Sequence, residues 1–231
     1  MRKLPAQPVS GLMDGLEVLR ELATSREALS CKHISEKLGF EITRVNRILK
    51  TLDYMGLAFR NKSRHYIPGP GIHVLAVQSM IGSGLLRKAL PVLESLRQYR
   101  LTVALGVLWR NSVSYLYHNN ASNMEAFDAI GSLALHPAET SSIGIALLSE
   151  LEDEEITELY KGREIPFDAI LKCRECGFSC ITNNLGKFSL AVKLGVPAYG
   201  AIALSGIDPS EDVSKYVQIL NESARKINED N

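Results

Sequence analysis

The run Pro68-Gly69-Pro70-Gly71 limits the possible folds more than any other feature of the chain. Its prolines withhold backbone donors and its glycines are conformationally loose, so no regular element is expected to cross it. A domain boundary is placed there. The 231 residues allow one large domain or two smaller ones, and the break favours two.

Before the break, residues 1–10 contain Pro5 and Pro8 without periodicity and read as a flexible arm. Over 12–23, Leu12, Leu16, Leu19, Leu22 and Ala23 share one helical face. Ser30 suits the N-cap of a short helix over 31–38, with Ile34 and Leu38 facing inward, and Gly39 stops it. A third helix is predicted over 42–55, with Val45, Leu49, Leu52 and Met55 as its inner stripe and Gly56 ending it. Strands over 57–60 and 65–67 flank the polar tip Asn61-Lys62-Ser63.

Two helices, a glycine turn, a third helix and a hairpin form the layout of a winged helix-turn-helix. The third helix can rest its apolar stripe on the other two and offer its outer face to a DNA major groove. That face carries Thr43, Arg44, Asn46, Arg47, Lys50 and Tyr54. Arginine pairs with guanine and asparagine with adenine, while threonine and lysine suit phosphates or base edges. Arg60, Lys62 and Arg64 fall on alternate residues, which on a strand would put them on one side as a phosphate-gripping wing. No acidic residue interrupts 42–52. Residues 1–70 hold 12 Lys and Arg against 7 Asp and Glu, and residues 71–231 hold 14 against 19. The zero net charge therefore hides a basic first part and an acidic remainder, as expected of a module for a polyanion joined to something else. The competing reading is an ordinary three-helix unit whose outer face is merely solvated.

Beyond the break, 72–81 is apolar enough for a connecting helix that packs on something, and a further helix is predicted over 85–99. The remainder alternates strands, over 102–109, 112–118, 178–182, 190–196 and 200–205, with helices over 142–148, 153–160, 167–175 and 211–228. Arg110-Asn111 reads as a tight hairpin turn. Residues 119–140 lack a period, and a stretch of that length suggests a binding loop or lid. The expected fold class is α+β. It comprises a winged helix-turn-helix over 11–70, a linker helix over 71–84 and a C-terminal α/β domain over 85–231.

The segments SGLMDGLEVLRELA and LSCKHISEKLGFEITRVNRILKTLDYMGLAFRNKSRHYIPGPGIHVLA resemble the N-terminal domain of IclR-type transcriptional regulators. The resemblance continues through LALHPAETSSIGIALLSEL and the strand AIALSG, and covers almost the whole chain. It implies a homodimer or homotetramer that binds a double-stranded DNA operator. It also implies a GAF-like C-terminal domain that binds a small metabolite. Thr43, Arg44, Asn46 and Arg47 match groove-facing positions, although Glu41 and Ile42 replace the usual proline and polar residue at the start of that helix. The effector-binding positions it implies are Ser141, Ser142, Ile143, Gly144, Asn183, Ser189 and Ser205. Thr182, Asn183 and Asn184 stand where members have an acidic cluster, Ser189 where a cysteine is common, and Ala203 where a serine is common. The implied ligand differs from the small oxo-acids of some members. An alternative is a constitutive DNA-binding protein with a degenerate pocket.

Other chemistry is weaker. Cys173, Cys176 and Cys180 form C-x2-C-x3-C, but a structural zinc site needs four ligands, no second close Cys or His pair occurs, and no metal is expected. His136 could touch an anionic effector, although a lone histidine is more often structural. The acids at 152–155 suit the positive end of a helix. No nucleophile elbow, phosphate loop or H-E-x-x-H motif is present, so neither catalysis nor a cofactor is expected. The longest near-apolar run, 101–109, is too short to span a bilayer, so no membrane partner is expected. The segment MRKLPAQPVSGL lacks the apolar run of a secretory leader, and the four cysteines then point to a cytoplasmic setting.

Overall fold

The computed structural model describes residues 6–120 and 135–229. They fall into two compact units that divide between Gly84 and Leu85.

The first unit contains α1 (Ser10–Thr24), α2 (Cys31–Leu38), α3 (Ile42–Tyr54), β1 (Ala58–Arg60), β2 (Tyr66–Pro68) and α4 (Pro70–Ser83). The Ser30 hydroxyl accepts the His33 backbone N–H at 3.1 Å and starts α2. Gly39, at φ 68°, ends it in the left-handed region that favours glycine. Val18, Leu22, Ile34, Val45 and Leu49 are fully buried, and Ala58 and Tyr66 of the hairpin close over them.

Several local expectations change. Helix α1 already begins at Ser10, within the expected arm, while residues 1–5 lie outside the described residues. Met55 is exposed: it caps the C-terminal end of α3, and the buried stripe stops at Leu52. The hairpin pairs Arg60 with Tyr66, so Lys62 and Arg64 lie in the turn rather than on a strand. Strand alternation therefore does not orient them. The Asn61 side chain shapes the turn by accepting the His65 backbone N–H at 2.9 Å, and Arg64 adopts φ 64°. No residue of α4 is buried, although its composition suggested packing.

The second unit opens with α5 (Leu85–Leu96), β3 (Thr102–Trp109), β4 (Ser112–Asn119) and the short β5 (His136–Pro137). Helices α6 (Ser142–Leu148), α7 (Asp153–Tyr160) and α8 (Phe167–Cys176) follow. The chain closes with β6 (Ser179–Thr182), β7 (Phe188–Leu194), β8 (Gly200–Ile207) and α9 (Val213–Glu229). The strands form one sheet, ordered β5-β4-β3-β8-β7-β6. Every neighbouring pair is antiparallel. Strands and helices are thus grouped rather than alternating. The connections at 183–187 and 195–199 are long enough for hairpins and too short for parallel crossovers.

Alternation along the strands gives the sheet two unlike faces. Val103, Leu105, Ile202 and Leu204 pack against Leu93 of α5 and Leu220 of α9. Ala104, Ala191 and Ala203 face the other way, toward Ile143, Ile156 and Ile170 of α6, α7 and α8. Small side chains let α6 approach this second face closely. The added Cβ of an alanine at Gly144 would lie 2.1 Å from the Ala138 carbonyl oxygen.

Candidate functional site

Two places collect the residues singled out by the sequence, one in each unit. In the first, α3 exposes Thr43, Arg44, Arg47 and Lys50, and leaves Asn46 partly exposed. Arg47, Lys50, Lys62 and Arg64 have no acidic partner among the described residues. Arg44 differs: its guanidinium forms an ion pair with Asp14 of α1 and lies 5.9 Å from the Phe40 ring centre. The helix crossing creates that pair, which nothing in local periodicity reveals. Arg44 and Arg47 also border an apolar groove with Leu12, Leu16, Ile48 and Met55. Arg60 stacks at 5.8 Å on Tyr66, and its backbone N–H reaches Asp53 at 3.2 Å. The Asp53 contact ties the hairpin to the end of α3.

In the second unit, Ser141, Ser142, Asn183, Ser189 and Ser205 line one cavity of about 240 Å³. The predicted Ile143 and Gly144 do not line it. Ile143 is fully buried in the core, and Gly144 faces the Ala138 backbone. The period of α6 turns these two away once Ser142 faces the cavity. Thr102, Tyr115, His118 and Thr140 join the lining, although sequence reasoning missed them. Strand register brings the first three there: Thr102 lies opposite Ser205, Ser205 opposite Ser189, Gly106 opposite Tyr115, and Ala104 between His118 and Ala203, while Thr140 lies in the turn before α6.

Hydrogen bonds fix most of this lining. The Ser142 and Ser189 hydroxyls share a bond at 2.8 Å, and the Tyr115 and Ser141 hydroxyls share one at 2.9 Å. Ser141 also caps α6 by accepting the Gly144 N–H at 3.3 Å, and Ser179 donates to the Ser142 carbonyl at 2.6 Å. Asn183 is partly committed, because its side-chain oxygen accepts the Leu185 and Lys187 backbone N–H groups. The rings of His118 and His136 lie 5.2 Å and 4.9 Å from that of Tyr115. Burial, and then the nearby His136, push the His118 imidazole below its ordinary pKa. Among the described residues, no Lys, Arg, Asp or Glu lines the cavity.

The three clustered cysteines separate. Cys173 is buried and donates to Ser149 at 3.6 Å, while Cys176 and Cys180 are exposed. Burial raises the Cys173 and Cys180 thiols, which disfavours the thiolates a metal would need. No group of three or more His, Cys, Asp or Glu is arranged for a metal ion among the described residues. Within the acidic run, the Glu155 carboxylate accepts the Glu152 backbone N–H at 3.3 Å at the start of α7.

With this geometry in place, solved structures supply the comparison. An IclR family transcriptional regulator from Brucella abortus superposes at a TM-score of 0.77 and 24% identity, over 97% of this chain and 94% of its own. A putative IclR transcriptional regulator from Silicibacter sp. TM1040 gives 0.78 at 17% identity, over 95% of each chain. An IclR homologue from Microbacterium hydrocarbonoxydans, complexed with 4-hydroxybenzoate, gives 0.67 at 21% identity, over 95% of this chain and 98% of its own. The chain therefore has the fold of IclR-type regulators, a helix-turn-helix unit followed by an α/β unit. No protein-family model and no curated protein matches it.

Proposed function

We propose that the chain is a cytoplasmic IclR-type transcription regulator rather than an enzyme. Its first unit binds a double-stranded DNA operator through Thr43, Asn46, Arg47 and Lys50 of α3, with Arg60, Lys62 and Arg64 of the hairpin on phosphates. Arg44 takes part by exchanging Asp14 for phosphate. The observation that carries this reading is the row of exposed, acid-free cations from Arg47 to Arg64 on a winged helix-turn-helix. The second unit binds a small-molecule effector in the 240 Å³ cavity. An effector that prefers one arrangement shifts DNA affinity by its differential affinity for the two. Ser141, Ser142, Asn183, Ser189 and Ser205 form its walls, with Ile143 and Gly144 supporting them from behind. The chain acts as a homodimer or homotetramer. Exposed apolar side chains on α1 and α4, among them Leu12, Leu16, Val74 and Ile81, support self-association. No helix among the described residues is long and apolar enough to cross a membrane.

Fluorescence anisotropy on the duplex upstream of the coding region tests this reading, with random DNA as competitor. Binding that survives the competitor, steepens as salt falls and weakens at least tenfold in Arg47→Ala is expected. An Arg47→Ala variant with unchanged affinity and specificity would overturn the groove assignment.

A further inference from the structure

The cavity of the second unit holds an unusual mixture of groups. Seven lining residues bear hydroxyls, and none bears a full charge. Thr102, Ser205 and Ser189 form one cross-strand row over β3, β8 and β7. Ser189 is committed to Ser142, whereas the Thr102 and Ser205 hydroxyls have no partner among the described residues. Two adjacent free hydroxyls, each both donor and acceptor, therefore face a space floored by Ala104 and Ala203.

Charge complementarity decides what such a space accepts. A carboxylate held there would lose its hydration with no lysine or arginine among the described lining residues to pair it. An ammonium group would meet no acid among the described lining residues. His118, with its pKa held low, offers one neutral donor or acceptor beside Ala104.

We infer that this cavity takes an uncharged polyhydroxylated molecule, a small polyol or sugar alcohol, gripped by the paired hydroxyls of Thr102 and Ser205 over the Ala104–Ala203 floor. The inference rests on the reading of the cavity as an effector site and gives that site a ligand class. It also assigns Thr102, which sequence reasoning did not single out, as a specificity-determining residue.

Calorimetry on the full chain tests it, with erythritol, xylitol and ribitol as polyols and lactate and 4-hydroxybenzoate as carboxylates. A saturable heat from at least one polyol and none from either acid is expected. Thr102→Val and Ser205→Val should each weaken the polyol at least fivefold, about one hydrogen bond. Ala203→Leu, which fills the floor, should abolish binding. Ser205→Arg should lose the polyol and gain an acid, because it supplies the missing counter-charge. Circular dichroism confirms that each variant is folded. An acid that binds the wild-type chain and is lost in Ala203→Leu overturns the ligand class but leaves the effector reading standing. Heat from neither class overturns the inference, as does polyol heat retained in Ala203→Leu. Operator anisotropy on the same samples then shows whether the regulator reading has failed too.

Discussion

Replacing Gly144 by alanine tests how α6 shapes the cavity. The new Cβ would lie 2.1 Å from the Ala138 oxygen and 2.5 Å from its Cα, so the two segments must part by more than ~1 Å to reach ordinary contact. The obstacle is backbone, and no side-chain rotation relieves it. Helix α6 cannot retreat freely either, because all its residues are buried. Its start is held by the Ser142–Ser189, Tyr115–Ser141 and Ser179–Ser142 bonds. Overpacking costs ~1–3 kcal/mol, and each disrupted bond adds ~1 kcal/mol. A loss of roughly 3 kcal/mol corresponds to a fall of ~6–12 °C in the Tm of the second unit. The single tryptophan, Trp109, lies on β3, so its fluorescence follows that unit during a thermal ramp. Gly106→Ala is the control. Its Cβ would meet the Val113 and Ile143 methyls at 2.9 Å and 3.1 Å and the Ser114 carbonyl oxygen at 3.3 Å, a milder clash than at Gly144, and a loss of ~1–2 kcal/mol is expected. A Gly144→Ala protein melting within about 1 °C of wild type would refute the reasoning, as would a larger loss in Gly106→Ala.

Other perturbations probe separate links. Ser30→Ala removes the cap of α2 and should cost ~1 kcal/mol, read as a lower urea midpoint for the first unit by helical circular dichroism. Arg64→Gly should relieve the left-handed backbone, leaving stability unchanged or higher by up to ~1 kcal/mol. The same change should make the log affinity–log salt slope for the operator shallower by ~0.9 if Arg64 contacts one phosphate. His118 is neutral when folded at a pH where the unfolded chain already binds its proton. Stability of the second unit should therefore fall as pH drops below ~6.5 through the lower folded value, and be insensitive to this group above that range. His118→Gln should flatten that slope in urea titrations at several pH values, and an unchanged slope would count against it.

The legible parts of this chain are those written in local chemistry. The bounds of α2 follow from Ser30 and Gly39, because a hydroxyl cap and a left-handed glycine act within a few residues. The inner stripe of α3 follows from spacing alone, up to Leu52. The β3–β4 hairpin likewise appears in the apolar run and its short turn, and the Pro-Gly run marks where β2 gives way to α4. The acidic start of α7 belongs to the same class, because a helix end interacts with residues within one turn.

The cavity was only partly legible. Its serines were suggested by resemblance, and nothing local joined them to Thr102, Tyr115 or His118. Those residues lie far apart in the chain, and strand register sets them opposite one another. A shift of one residue would turn Thr102 and Ser205 to the opposite face. The Arg44–Asp14 pair likewise depends on how α1 crosses α3. Local chemistry sets α2, the α3 stripe and the β3–β4 hairpin, because caps, turns and periodicity act over a few residues, whereas the two units divide after Gly84, beyond the Pro-Gly run. Which hydroxyls meet, that Ile143 belongs to the core and that no described lining residue carries a full charge depend on pairings between distant segments, which no local pattern records.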